Sequence, residues 1–190
     1  TRRSSDLYYR ERGSGLWYWA VQFTAKLEAF PEEKAEYLSR LGINQMTDSG
    51  ISGHLRRFVK SDIFDFQTPP DPEFQRNVKT MFATCKKYGI DAYLCLIEPG
   101  LLEMDRIDRY PKETTGTVRM PWGGDKDGRA RTLCVSSSLT QQYLREMMKK
   151  LVREYPDLDG INFYNLDNNA WLCTPALCER CKQVCTDSPP

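Results

Sequence analysis

Residues 16–23, LWYWAVQF, are aromatic and aliphatic except for Gln22 and carry no charge, which predicts a short strand. The period then changes. In PEEKAEYLSRLG, Pro31 suits the first turn of a helix, acids occupy its positive end, and Ala35, Leu38 and Leu41 recur on one face. Gly42 is placed to end it. INQMTDSG reads as a second strand running into a polar loop. PPDPEFQRNVKTMFATCKKYG predicts the clearest helix of the chain. Asp71 is its N-cap, Pro72 its first-turn residue, and Phe74, Val78, Met81, Phe82 and Cys85 its buried stripe, with Gly89 at its end. IDAYLCLIEPG supplies a third strand, and a long excursion rich in Gly, Pro and charge follows over 101–132. Such lengths in compact domains mark function or disorder. Ser137 or Ser138 then caps another helix, with Leu139, Tyr143, Leu144, Met147, Met148, Leu151, Val152 and Tyr155 on its inner face. Pro156 stops this helix, and DGINFYNLD is the fourth strand.

Alternating strands and helices imply parallel strands joined by right-handed crossovers. The nearly unbroken apolar run AYLCLI fits a sheet covered on both faces. A doubly wound sheet and a (β/α)8 TIM-like barrel are both built this way. Four units in 190 residues make half a barrel, since a complete one takes about 250. The chain then divides into an extension over 1–15, a β/α domain over 16–171 and a cysteine-rich tail over 172–190.

Composition changes this picture little. Charged residues at 28% and hydrophobic ones at 40% are the balance of an ordinary globular chain. A net charge of +1 argues against a nucleic-acid partner, and no apolar run approaches the roughly 20 residues that span a membrane. No signal peptide is visible. The chain opens on Thr1, which reads as a processed or trimmed product.

The candidate chemistry lies where strands end, because parallel β/α sheets present their ligand sites at the carboxyl ends of the strands. Asp48 closes strand two, Glu98 closes strand three, and the far end of strand four carries Asn165, Asp167, Asn168 and Asn169. The plain alternative is that these small polar residues serve turns and loop caps. Trp122 and Trp171 fall in loops and offer flat faces on which sugar C–H groups stack. Trp17 and Trp19 alternate on strand one and read as core filling. His54, the only histidine, is a candidate for lining the mouth of the site.

AEYLSRLGINQMTDSG, VKTMFATCKKYGIDAYLCLIEPG and LCVSSSLTQQYLREMMKKLVREYPDLDGINFYNLDN resemble successive helix-to-strand units of family 20 glycoside hydrolases, the β-N-acetylhexosaminidases. Related glycosidase-like barrels with cysteine-rich loops carry similar segments. The resemblance covers roughly residues 16–170 and rests more on the order of elements than on any fixed string. It implies a glycan substrate and a substrate-assisted retaining mechanism, in which an Asp orients the acetamido group and the following Glu is the general acid. Here that pair falls on Asp167 and Asn168. An amide donates no proton at neutral pH, so the acid must come from elsewhere, with Glu98 a candidate, or the site binds without cleaving. The non-catalytic alternatives are a carbohydrate-binding module and a half-barrel that docks a partner, either a second copy or the rest of the barrel.

Seven cysteines are an odd number, so they cannot all pair within the chain. Cys85 and Cys95 sit in apolar patterns and read as small core residues. CTPALCERCKQVC has the spacing C-x4-C-x2-C-x3-C, whose C-x2-C step grips one tetrahedral ion. Two readings stand open beside that of unbonded thiols. A structural zinc would take Cys173, Cys178 and Cys181 with either Cys185 or Cys134, and no cofactor is otherwise required. Alternatively, a pair of disulfides pins the loop, which suits a secreted or periplasmic protein.

Overall fold

The structure is a computed structural model and describes residues 17–20, 30–48, 53–117, 130–163, 173, 175–176 and 178–187. Its elements are β1 (Trp17–Ala20), α1 (Glu32–Arg40), β2 (Gln45–Asp48), α2 (Pro72–Lys87), β3 (Asp91–Leu96), β4 (Thr115–Thr117), β5 (Arg131–Leu133), α3 (Ser138–Glu154), β6 (Gly160–Phe163) and α4 (Glu179–Asp187). Short 3-10 turns occupy Leu55–Arg57, Met104–Arg109 and Lys112–Thr114. The chain forms two compact units. The first comprises Thr1–Gly53, Pro70–Leu96 and Val152–Phe163, and the second comprises His54–Pro69, Ile97–Leu151 and Tyr164–Pro190.

The first unit is built on a parallel sheet of order β1-β2-β3-β6. Each new strand is added beside the previous one. Over these four strands the order runs one way, as it does in a barrel wall and in one half of a doubly wound sheet. The sheet is also curved and sheared. Thr47 pairs with Tyr93, and Cys95 with Asn162, yet Asn162 Nδ2 donates across β3 to Thr47 Oγ1 at 3.2 Å. Strands two places apart on a flat sheet stand about 9–10 Å apart, too far for these short side chains to meet. The contact joins positions two residues out of register over two strands. The offset is one residue per strand crossed.

Curvature sorts the residues of the sheet. Met46, Ala92, Leu94 and Leu96 are buried and alternate with Gln45, Thr47, Tyr93 and Cys95, which share the concave side with Gly160 and Asn162. Gly160 makes room there for Tyr93, whose ring would stand 2.3 Å from an added Cβ.

Local signals explain the helices. Asp71 accepts from the Glu73 N–H at 2.8 Å, and Phe74, Val78, Met81, Phe82 and Cys85 are all buried, as the sequence pattern predicts. Each large apolar member contributes about 1.5–3 kcal/mol on burial. The helix closes at Gly89, whose φ of 70° suits a residue without Cβ, and Ile90 N–H returns to the Cys85 carbonyl at 2.9 Å. Gly42 (φ 83°) closes α1 in the same way. Leu41, expected on the buried face of that helix, is 54% exposed, because the chain leaves the helix there to turn at Gly42. In α3 the buried stripe is Thr140, Tyr143, Met147 and Leu151. That stripe is narrower than the pattern implies. Leu139, Leu144 and Met148 are half-buried, and Val152, one step of about 100° round from Leu151, is 61% exposed.

The second unit holds an aromatic cluster. Phe64 lies against Tyr143 and Tyr110 with ring centroids 4.8 and 5.3 Å away. Gln67 joins both phenols: its Nε2 donates to Tyr110 Oη at 3.0 Å and its Oε1 accepts from Tyr143 Oη at 3.3 Å. The excursion over 101–132 contains order that the sequence does not announce. Residues Thr115–Thr117 pair antiparallel with Arg131–Leu133, and Leu101 bridges to Thr132.

Candidate functional site

Parallel strands place their carboxyl ends along one edge of the first unit's sheet. Asp48 is the last residue of β2, where it pairs with Ala20. The chain beyond β6 carries Asn165, Asp167, Asn168 and Trp171, which lie outside the described residues, as does Trp122. The concave face below this edge is lined by polar and aromatic groups that strand alternation could have revealed: Thr47, Tyr93 and Asn162. Gln45 Oε1 lies enclosed beside them with no hydrogen-bond partner among the described residues.

In the second unit Glu98 and His54 come together. Glu98 is buried and uses both oxygens: Oε1 accepts from the Leu55 N–H at 2.8 Å and Oε2 from the Gly100 N–H at 2.7 Å. Burial pushes its pKa up to about 7, against the pull of those two N–H groups and the Arg56 guanidinium. Arg56 itself is fixed by donating to the Leu101 carbonyl at 2.9 Å. His54 Nδ1 stands 3.1 Å from the Ile97 carbonyl oxygen, so it carries the proton and donates. Burial first, then Arg56, holds the imidazole down at about 3. A neutral imidazole 3.9 Å from Glu98 makes no ion pair. Gly100 is required beside it, because an added Cβ would meet the ring at 2.3 Å. The geometry is that of a clamp fastening the 54–57 turn to the 97–101 turn.

A third constellation joins parts of the second unit that are distant in sequence. Cys134, Cys173, Cys178 and Cys181 bring their sulfurs within 4.8 Å of one another. Cys134 follows β5 directly, held by its N–H to the Thr114 carbonyl at 2.8 Å. Cys178 precedes α4, and Cys181 lies in the helix's first turn. Burial would raise the Cys178 thiol, but the N–H groups of Cys181 and Arg180 at the helix start help bring it down to about 7. Burial raises Cys173 and Cys181. Ser136 Oγ donates to Cys181 Sγ at 3.4 Å, and Gly116 leaves space for Cys173 Sγ, which would lie 2.6 Å from an added Cβ. Cys185 falls within α4, and its side chain lies outside the description. The spacing CTPALCERCKQVC announces three members of this group. Cys134 enters from nearly forty residues upstream.

No family model matches the chain, and no curated protein matches it. Among solved structures, the catalytic module of a multi-modular glycogen-degrading pneumococcal virulence factor is similar at 15% identity and a TM-score of 0.50, over 85% of this chain and 28% of that one. A GH138 enzyme targeting pectin rhamnogalacturonan II aligns at 17% identity and 0.46, over 70% of this chain and 14% of its own length. A noncanonic maltogenic alpha-amylase from Thermotoga neapolitana aligns at 16% and 0.47, over 78% and 38%. None of these three is a family 20 enzyme, and the chain spans well under half of each. The first of them speaks to the fold, an α/β architecture with a parallel sheet like that of a glycoside hydrolase catalytic domain.

Proposed function

We propose that the chain forms about four β/α units of a (β/α)8 glycosidase-like barrel that acts on a glycan at the rim where its parallel strands end. The observation that supports this is the Thr47–Asn162 hydrogen bond across β3, whose offset of one residue per strand matches a barrel of eight strands and a shear of about eight. Within the described residues β1 and β6 each have one strand neighbour, and further β/α units of the same barrel would pair those edges. A glycan at this rim would meet Asp48 and the segment carrying Asn165, Asp167, Asn168 and Trp171. Asp167 is the carboxylate we assign to the substrate, with Trp122 and Trp171 as stacking platforms.

A second reading, binding without cleavage, is favoured by Glu98. Hydrolysis needs a carboxylic acid aimed at the leaving oxygen. Asn168 is an amide, and both oxygens of Glu98 are taken by backbone N–H groups. An active enzyme would therefore draw its acid from another residue. The test is turnover of a panel of aryl glycosides, with binding to a glycan array measured alongside, for the native chain and Asp167→Ala. Turnover that Asp167→Ala abolishes supports the hydrolase. Glycan binding without turnover, weakened by the same substitution, supports the second reading. Neither activity on any sugar overturns both.

A further inference from the structure

We propose that Cys134, Cys173, Cys178 and Cys181 bind one zinc ion in a closed tetrahedral thiolate site that fastens the β4–β5 ribbon to the start of α4. This goes beyond the glycan reading and does not depend on it.

The argument is first one of distance. Zinc–sulfur bonds of about 2.3 Å in a tetrahedron place the sulfurs about 3.8 Å apart. The sulfurs of Cys181 and Cys173 are 3.5 Å apart, those of Cys134 and Cys181 3.6 Å, and those of Cys134 and Cys178 3.9 Å. Cys181 therefore neighbours both Cys134 and Cys173, and Cys134 neighbours both Cys181 and Cys178. This is one mutual cluster, whereas two disulfides would sort the four into separate pairs. A cluster of several irons would hold its thiolates further apart than a single ion does. The maximum separation of 4.8 Å suits one ion.

The surroundings fit as well. Binding exchanges four thiol protons for Zn²⁺ and leaves the site with a net charge of about −2. The positive charge of Arg180, in the first turn of α4 beside Cys181, lies close to Cys134, Cys178 and Cys173 and offsets part of that charge. Ser136 Oγ donates to Cys181 Sγ from the second layer. Four protein sulfurs fill a tetrahedron and leave no position for water or substrate, so the ion is structural. The ligand set also settles the choice that the spacing leaves open, because Cys134 completes the four and Cys185 is not needed.

Metal analysis of the purified full chain, with cobalt substitution and thiol titration after denaturation, tests the proposal. About one zinc per chain is expected, and the cobalt form should show the visible bands of tetrahedral thiolate coordination. Cys134→Ser should lose the metal or its four-sulfur cobalt spectrum, and Cys185→Ser should keep both. The cobalt spectrum of the native chain reads the ligands directly, so a variant that fails to fold does not decide the matter. Fewer than seven titratable thiols without metal, iron with acid-labile sulfide, or metal lost in Cys185→Ser but kept in Cys134→Ser would each overturn it.

Discussion

The buried cysteines of the two units behave differently. In the first unit, Cys85 lies on the apolar face of α2, where burial and the charge of Asp159 push its thiol up to about 12. Cys95 is a member of β3 with 5% exposure. In the second unit, four cysteines turn their sulfurs toward one another. The same residue type is a separate small side chain in one place and one of four converging sulfurs in the other. What decides is the backbone that delivers it. Helix α2 carries Cys85 into an apolar layer, while a ribbon end and a helix N-terminus bring four sulfurs to a common centre. More generally, the first unit is held by apolar burial along a continuous sheet. The second, whose own buried core includes Leu55, Phe58, Phe64, Leu133 and Met147, adds directional groups to that burial: the Gln67 bridge between two phenols, the Glu98 clamp and the thiols.

That contrast can be broken at graded points. The largest effect is expected from Leu94→Ala, at a fully buried position in the middle of β3. It should cost about 2–5 kcal/mol in denaturant unfolding, equally with and without a chelator. A loss below about 1 kcal/mol would mean that the sheet is not the stabilising core of its unit.

Glu98→Gln comes next. It keeps one acceptor but sets an NH2 group against the other N–H, at a cost of about 1–3 kcal/mol. The pH dependence has a definite sign. The folded pKa of about 7 lies above the ordinary 4.5, so Glu98 contributes stability that is full below about pH 4.5 and is lost as pH rises through 7. His54, held down at about 3 from 6.5, contributes the opposite trend, lost as pH falls through that window. Subtracting the Glu98→Gln unfolding free energy from the native value at each pH isolates the carboxyl. The difference should fall between pH 4.5 and 7, and a flat difference would contradict the buried clamp. The smallest effect is expected for Val152→Ser on the exposed side of α3, within about 0.5 kcal/mol.

How much of this was legible depends on how local the cause is. Helix α2 was readable because Asp71, Pro72 and Gly89 fix its ends within its own sequence, and its stripe repeats at helical spacing. The parallel alternation was readable too, whereas the order of the strands needed the pairing itself. The β4–β5 ribbon was not readable, since three-residue strands carry too few positions to show alternation. Helix α4 went unassigned within the cysteine-rich tail because its cysteines suggested ligands before they suggested a helix face. The clamp escaped for a different reason: the N–H that engages Glu98 belongs to Leu55, 43 residues away, and no periodicity reports such a partner. His54 likewise read as a residue at the mouth of a site. The fold encloses it against Gly100 and the Ile97 carbonyl.

The contrast between the two units is tested most directly by amide hydrogen exchange on the full chain before and after removal of metal with a chelator. The account predicts that protection falls at Thr115–Thr117, at Cys134 and through Glu179–Asp187, while Gln45–Asp48 and Asp91–Leu96 stay protected. Unchanged exchange around Cys134 and α4, or equal loss in the strands of the parallel sheet, would contradict it.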